Sequence, residues 1–280
     1  MKQTAEKRES AGLRFLYRTA PGRVFLRVLT ARWVSKFVGA VLDSPISRPL
    51  IGGFFRRGGI DRNDYLPEKY RSFNACFCRR IRPELRPIDR TPDTLIAPCD
   101  GLLSVYRADG DTVLPVKQSQ YRLPGLLGDV ALAERYRDGY VLVFRLCVNH
   151  YHRYIYPESG VKSANRFLPG RLHTVRPIAL EREPVFTENC RSVCSVQTER
   201  FGLLTQIEVG AMLVGRICNL HEGEREVARG EEKGYFEYGG STVILLAERG
   251  AIAEPTELLR STAAGIETPV KVGEAVGARG

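Results

Sequence analysis

Residues 234–246 read Gly-Tyr-Phe-Glu-Tyr-Gly-Gly-Ser-Thr-Val-Ile-Leu-Leu, a glycine pair followed closely by an apolar run. Adjacent glycines are typical of a tight turn, and an apolar run rich in β-branched residues is typical of a buried strand. The stretch therefore predicts a turn that leads into a core strand. A second reading is chemical: Gly239 permits unusual backbone conformations, and Gly240 leaves Ser241 room to attack the preceding carbonyl.

Short apolar runs separated by Gly, Pro and Asp continue through the chain from about residue 94. They predict strands at 102–106, 140–147, 172–180, 203–209, 211–219 and 242–247. Because the segments before them favour helices, the fold class is α+β, with N-terminal amphipathic helices followed by a β-rich body.

Two segments near the N-terminus predict these helices. Residues 23–42, after Pro21-Gly22, place apolar side chains at helical spacing, namely Leu26, Leu29, Trp33, Phe37 and Ala40. Basic side chains lie around the rest of this helix. It therefore either packs on the core with a solvated polar face or lies in a lipid interface. Residues 68–80 predict the second helix.

Positive charge is concentrated at the same end of the chain. Residues 1–60 contain twelve Lys and Arg against three Asp and Glu, which accounts for +9 of the net charge of +10. Such asymmetry predicts an anionic partner, either a lipid surface or a nucleic acid. Nucleic acid is disfavoured, because the β-rich part lacks a groove-like pattern of basic and aromatic residues. No run of 18 apolar residues occurs, which argues against a transmembrane protein.

The chain has seven cysteines, an odd number, and it is long enough to fold without stabilising disulfide bonds. We therefore expect it in a reduced compartment. Cys76-x-Cys78 and Cys190-x₃-Cys194 lack the Cys-x₂-Cys spacing of zinc sites, and the four histidines do not complete one. We therefore expect no metal, and most of the cysteines as small core residues.

Two further clusters carry possible chemistry. The run from Ala97 to Gly101 predicts a turn into a strand, or else a carboxylate at Asp100 that orients a histidine. His150 and His152 follow the run 140–147 and share one face if the segment is extended. Histidine suits proton transfer near neutral pH, so the pair offers a candidate base. A structural role and metal binding are the alternatives.

Together these segments, from residue 40 to 275, resemble the phosphatidylserine decarboxylase family. The motifs that carry the resemblance are Ser72-Phe-Asn-Ala-Cys-Phe-Cys-Arg79, Arg86-Pro-Ile88, Pro98-x-Asp100-Gly101, Tyr151-His-Arg153, Pro169-Gly-x-Leu172, Phe186-x₂-Asn189-x-Arg191, Glu208-Val-Gly-Ala-Met-Leu-Val-Gly215, Lys233-Gly-x-Phe236 and Gly240-Ser-Thr242. Each motif alone is weak, but their shared order and spacing make the likeness specific.

The resemblance implies a self-cleaving enzyme with a covalent pyruvoyl cofactor and no metal. Ser241 attacks the Gly240 carbonyl, the chain splits into a β piece (1–240) and an α piece (241–280), and residue 241 becomes the pyruvoyl group. This group forms a Schiff base with the amine of phosphatidylserine, and loss of CO₂ gives phosphatidylethanolamine. The resemblance assigns the cleavage relay to Asp100, His152 and Ser241.

The sequence departs from the family pattern at three positions. Ile155 stands where many members have a second histidine, His150 replaces an aspartate, and Gly239 replaces a leucine. Because isoleucine transfers no proton, His152 is the expected base and His150 the alternative. Two other functions stay open: a membrane-binding relative that never matures, and a decarboxylase of another serine-headgroup lipid.

The resemblance also organises the chain. Residues 1–65 are expected to form a basic membrane-associating helical region, and 66–280 the decarboxylase domain. The expected partners are phosphatidylserine, an anionic membrane surface and the chain's own second piece, in a heterodimer that the family likeness suggests dimerises further. We expect a peripheral protein on the cytoplasmic face of a bacterial-type cell membrane, in preference to the mitochondrial inner membrane.

Overall fold

A computed structural model describes residues 11–108, 113–116, 119–174, 185–211, 216–239 and 241–280. The α-helices in these ranges are α1 (Ala11–Arg18), α2 (Ala20–Leu29), α3 (Arg32–Asp43), α4 (Leu50–Gly58), α5 (Phe73–Phe77), α6 (Leu123–Leu127), α7 (Val130–Arg135), α8 (Val185–Glu188) and α9 (Thr256–Ala263).

Strands dominate the chain after α5. They are β1 (Thr94–Ile96), β2 (Gly101–Arg107), β3 (Val113–Val116), β4 (Ser119–Arg122), β5 (Tyr140–Leu146), β6 (Arg153–Ile155), β7 (Gly160–Lys162), β8 (Arg166–Leu168), β9 (Arg191–Gln197), β10 (Leu203–Val209), β11 (Ile217–Asn219), β12 (Arg225–Val227), β13 (Glu232–Phe236), β14 (Ser241–Ala247), β15 (Thr268–Val270) and β16 (Ala275–Ala278). The expected α+β class, with helices first, is confirmed.

The main sheet is antiparallel and runs in the order β12-β7-β9-β10-β14-β5-β2-β15, with β8 also paired to β9. β14 lies in its middle, between β10 and β5, and every residue of β14 is buried. A strand buried on both faces needs apolar side chains on both, which explains the continuous run Val243–Leu246. A smaller sheet has the order β11-β13-β6, and β1 pairs with β16.

Four of the six expected strands are confirmed to within one residue, at 102–106, 140–147, 203–209 and 242–247. The expectation for 211–219 is correct only over β11, and residues 212–215 lie outside the described part. Residues 172–174 are not a strand. The Asn189 side chain forms hydrogen bonds with both the amide and the carbonyl of His173, so these groups are not available for pairing with another strand. The rest of 172–180 lies outside the described residues.

The single helix expected over 23–42 is wrong, because the chain breaks between α2 and α3. The Thr30 hydroxyl donates to the Leu26 carbonyl at 2.8 Å, and Ala31 is extended at φ −69° and ψ 138°. A hydroxyl that bonds the backbone in this way competes with continuation of the helix. α2 also begins earlier than Pro21, because the Thr19 hydroxyl accepts a hydrogen bond from the Gly22 amide.

The helix expected over 68–80 is reduced to the five residues of α5. Ser72 caps its start by accepting a hydrogen bond from the Ala75 amide at 3.1 Å. The flanking residues pair with each other instead, through a β-bridge between Tyr65 and Ile81. This pairing across the helix prevents the chain from extending it in either direction.

A second core, here called the aromatic cluster, joins the N-terminal helices to the rest of the chain. Its buried members are Leu42, Phe54, Phe55, Tyr65, Phe73, Cys76, Phe77 and Ile81. They come from both sides of the boundary expected at residue 65. The apolar face expected on the first helix is divided: Leu26 lies in the main core, whereas Trp33 and Phe37 on α3 are 67% and 68% exposed.

All seven cysteines are free thiols, and four of them are buried. Among the described residues, no group of three or more side chains is arranged to hold a metal ion. In the same part of the chain, each helix is too short or too polar to cross a bilayer.

Candidate active site

Two connections between the sheets run side by side at the centre of the molecule. One leads from β5 to β6 and carries residues 147–152, and the other leads from β13 to β14 through residues 237–240. Because β5 pairs with β14 and β6 with β13, the two connections begin and end together. Leu146 therefore lies opposite Ser241, and the Phe236 amide donates to the His152 carbonyl at 3.0 Å.

This arrangement places His152 against Ser241. The Nδ1 atom of His152 lies 3.2 Å from the Ser241 Oγ, and neither residue has any exposed surface. The Nε2 atom lies 3.0 Å from the Cys147 carbonyl oxygen. Since a carbonyl oxygen only accepts, we assign the ring proton to Nε2. Nδ1 then carries no proton, and its lone pair faces the serine hydroxyl. A base requires this tautomer.

The surroundings keep the His152 ring uncharged. Burial, with a further contribution from the positive charge of Arg79, lowers the pKa of His152 to about 3. The Phe77 ring packs against the imidazole at 4.2 Å between centroids. A neutral imidazole is therefore present throughout the physiological pH range.

Arg79 holds the loop that carries both histidines. Its guanidinium donates to the carbonyls of Asn149 and His150, at 3.4 and 3.3 Å, although the side chain is almost completely buried. The rings of Tyr65 and Phe54 surround it, with Tyr65 at 4.3 Å. Burying a cation in this way is tolerable because carbonyl oxygens and aromatic faces replace water.

The structure does not bring Asp100 to His152. Both Asp100 oxygens accept from Arg86, at 2.8 and 2.6 Å, and Oδ1 also accepts from the Val272 amide at 2.9 Å. Ile155, at the position of the family's second histidine, packs instead in a small apolar cluster with Ile96 and Val272. The group that orients His152 is therefore the Cys147 carbonyl.

His150 takes a different position from His152. Its Nδ1 accepts a hydrogen bond from the Cys147 amide at 3.2 Å, which occupies the lone pair that a base would use. Burial lowers the pKa of His150, while the charge of Asp100 opposes that shift. Of the two histidines, His152 is the one that contacts Ser241.

Gly239 has a backbone conformation that favours glycine, with φ of +143°. This agrees with the expectation that the residue before the Gly-Ser bond needs unusual freedom. Gly240 itself lies outside the described residues, so the Gly-Ser bond is located by its neighbours, Gly239 and Ser241.

Comparison with known proteins identifies the family. Residues 73–278 match the family model for phosphatidylserine decarboxylase. The chain is 38% identical over 266 residues to phosphatidylserine decarboxylase proenzyme 2 of Clostridium acetobutylicum, covering 95% of this chain and 91% of the relative. It is also 37% identical over 287 residues to the proenzyme of Desulfitobacterium hafniense, covering 99% and 96%. The chain belongs to the phosphatidylserine decarboxylase family.

Two motif residues of this decarboxylase family form a buried ion pair between the sheets. Lys233 on β13 donates to Glu208 on β10 at 2.6 Å, and neither side chain is exposed. Lys233 also donates to the Asn219 side chain at 3.0 Å. Burial raises the pKa of Glu208, and Lys233 opposes the shift. Because losing one member leaves a buried charge at a cost of about 3–5 kcal/mol, the pair fixes β13 beside the main sheet.

Sequence reasoning missed three contributors to this decarboxylase-family site. The Cys147 carbonyl belongs to the backbone, and every residue has such a carbonyl, so the residue type gives no sign of its role. Arg79 and Asn74 lie in the quoted motif that begins at Ser72, but a motif alone gives no role to its members. Their long-range partners, residues 149–150 and Tyr238, supply that role.

Proposed function

We propose that the chain is a proenzyme that splits itself between Gly240 and Ser241 and then decarboxylates phosphatidylserine to phosphatidylethanolamine. The observation that carries the proposal is the buried contact between His152 Nδ1 and Ser241 Oγ, in a chain of the phosphatidylserine decarboxylase family. The names of the relatives describe a proenzyme, which supports a maturation step.

Self-cleavage follows from this contact in three balanced stages, namely acyl transfer, elimination and hydrolysis. His152 Nδ1 takes the hydroxyl proton as Ser241 Oγ bonds to the Gly240 carbonyl carbon. The peptide C–N bond then breaks and its nitrogen receives the proton, which leaves an ester and a free amine. A base then takes the Ser241 Cα proton, the electron pair of that bond forms a Cα–Cβ double bond, the Cβ–Oγ bond breaks, and a Gly240 carboxylate departs. Water then replaces the nitrogen of residue 241, which leaves as ammonia, and a pyruvoyl group remains.

Burial makes His152 a weak base, which is sufficient for a reaction that happens once in each molecule. Burial disfavours the imidazolium that forms, so the step is slow, but a single turnover suffices. The same burial excludes water until the chain has split, so that the ester is not hydrolysed back to an ordinary serine, and water reacts at residue 241 only afterwards.

The residues present fit a pyruvoyl group at position 241. Residue 241 begins a rigid central strand, with a neutral base in hydrogen-bond contact and a glycine at positive φ two residues before it. Such a group supplies an electron-accepting carbonyl that condenses with the substrate amine and takes up the electron pair released with CO₂. The role of His152 in that reaction is to hold and return a proton beside residue 241.

The fold holds the two pieces together after cleavage. The α piece contributes β14 to the middle of the main sheet, β15 to the edge at β2, and β16 to the pair with β1. The β piece supplies Asp100, which accepts from the Val272 amide of the α piece. These strand pairings support a stable heterodimer of the two pieces.

An intact mass measurement under denaturing conditions tests the proposal. We expect two species, one ending at Gly240 and one of 40 residues with a blocked N-terminus. Ser241→Ala should give a single uncut chain near 31.4 kDa and no CO₂ release from phosphatidylserine vesicles. A wild-type chain that stays intact would favour the non-maturing membrane-binding relative. A split chain that acts only on another serine-headgroup lipid would overturn the substrate assignment.

We also propose that α3 and its neighbours attach the protein peripherally to the anionic cytoplasmic face of a cell membrane. Eight large apolar side chains between residues 15 and 50 are exposed: Phe15, Val24, Phe25, Trp33, Phe37, Val41, Ile46 and Leu50. Basic residues such as Arg23 and Lys36 are exposed among them. This combination is typical of a lipid-interface surface.

Vesicle co-sedimentation tests the membrane proposal. Replacing Trp33 and Phe37 with Gln should weaken binding to anionic vesicles by about 10-fold or more, since each buried aromatic contributes roughly 1.5–3 kcal/mol. The matched control replaces Phe167 and Leu220, exposed residues of the β-rich part, in the same way. Equal loss in both variants would contradict a specific face.

A further inference from the structure

The Asn74 side chain joins two parts of the molecule that are far apart in sequence. It lies in α5 and is 3% exposed. Its Nδ2 donates to Asp43 Oδ1 at 2.9 Å, and its Oδ1 accepts from the Tyr238 amide at 2.9 Å. Both ends of one amide are therefore used, each in a different long-range contact.

The two partners lie at significant places. Asp43 is the last residue of α3, the helix that exposes Trp33 and Phe37. Tyr238 stands three residues before Ser241, in the connection that carries the bond to be cut. The bridge thus runs from the exposed helix to the scissile segment.

The helix that carries Asn74 contacts both sides of the reaction. The Phe77 ring packs on His152 at 4.2 Å and on the Tyr238 ring at 5.2 Å. Phe73 also contacts Tyr238, at 5.0 Å. α5 therefore supports the base and the scissile segment together.

The donor and acceptor pattern specifies asparagine at this position. The Asp43 carboxylate only accepts a hydrogen bond, and the Tyr238 amide only donates one. The side chain between them must offer a donor on one side and an acceptor on the other, which an amide does and a carboxylate or alkyl group does not.

We propose that Asn74 is a positioning residue of self-cleavage, which holds the segment before Gly240 in register with Ser241 and links it to the end of α3. The inference rests on the proposed self-cleavage. Two glycines follow Tyr238 and restrict the backbone little, so the hydrogen bond from the Tyr238 amide to Asn74 anchors the chain close to the scissile bond. Nucleophilic attack requires close alignment of the reacting atoms, and small misplacements slow it strongly.

A donor–acceptor exchange tests the role in the full-length chain. Asn74→Asp keeps an oxygen for Tyr238 but sets a carboxylate against Asp43, and should slow splitting by about 10- to 100-fold. The double variant Asp43→Asn/Asn74→Asp reverses donor and acceptor across the same bond, and should restore the rate to within about threefold of wild type. Splitting is followed by mass spectrometry of pulse-labelled protein.

A matched variant separates positioning from general stability. Ser72→Ala removes the cap of the same helix without touching the bridge. It should lower the melting temperature but slow splitting far less than Asn74→Asp does. The proposal is overturned if Asn74→Asp splits normally, if the exchange fails to restore splitting, or if Ser72→Ala slows it as much. A wild-type chain that never splits would overturn self-cleavage itself, and this role with it.

Discussion

The His152–Ser241 contact and the Asp100–Arg86 pair differ in nearly every physical respect. The first is neutral, has no exposed surface and is oriented by a backbone carbonyl. The second is a two-pronged ion pair with partly accessible side chains. A charge costs much more free energy in a dry site than at its edge, so a neutral imidazole suits the position beside Ser241 and an ion pair suits the more accessible position of Asp100.

The pKa shifts express the same difference. Burial is the main cause that lowers the pKa of His152. Burial also acts against the charge on Arg86, but the hydrogen bonds and negative charge of Asp100 outweigh it and raise the pKa of that arginine. The difference supports the proposal that proton transfer occurs at the neutral contact, and that the charged pair holds Asp100 in place to accept from the Val272 amide.

The largest expected effect comes from breaking the neutral contact. His152→Ala removes the base, and we expect splitting to slow by roughly 10²- to 10⁴-fold. His150→Ala is the matched control, because His150 has its Nδ1 engaged by the Cys147 amide. It should slow splitting less than about 10-fold, as judged by intact mass over time. The opposite order of effects would make His150 the base.

Breaking the charged pair should affect stability more than chemistry. In the uncut Ser241→Ala background, Asp100→Asn should lower the free energy of unfolding by about 2 kcal/mol, because Arg86 loses a charged partner. With Ser241 present, splitting should slow by less than about 10-fold, and the 40-residue piece should dissociate more readily in gel filtration. A loss of splitting as large as that of His152→Ala would return Asp100 to the relay.

A smaller effect is expected at the turn beside the neutral contact. Gly239→Ala places a side chain at φ of +143°, and should cost about 1–3 kcal/mol of stability and slow splitting severalfold. Gly239→Leu, the common family residue, should behave no better in this chain. Gly223→Ala is the control, because a methyl group there meets nothing within 4 Å. Faster splitting in Gly239→Leu would contradict the strained turn.

The smallest expected effect is that of pH on the splitting rate. Because the pKa of His152 is about 3 in the folded chain, the rate should stay nearly constant from pH 8 to about pH 5. A fall in rate centred near pH 6.5 would show an exposed base.

The stability of the fold should depend on pH more strongly than the splitting rate does. The folded pKa values of His152 and His173, about 3 and about 4, lie below the ordinary value of 6.5. The unfolded chain therefore binds more protons below pH 6.5, and the free energy of unfolding falls as the pH drops.

The sequence by itself determined the features that depend on neighbouring residues. Short apolar runs located β14 and β5, and the order of the motifs identified the family. The His152 side chain could be selected because histidine is suited to proton transfer. Such inferences succeed because the clustering of apolar residues and the chemistry of a side chain are visible within a few residues.

The tertiary structure alone decided which groups meet. Asp100 was expected beside His152, but Arg86 holds it, and a backbone carbonyl that no residue type reveals takes its place. The break at Thr30 and the short α5 likewise reflect local competition and pairing of distant flanks. Asn74 contacts Asp43 and Tyr238, which lie 31 and 164 residues away. Contacts at that separation depend on how two sheet connections run side by side, and no local pattern in the chain encodes that.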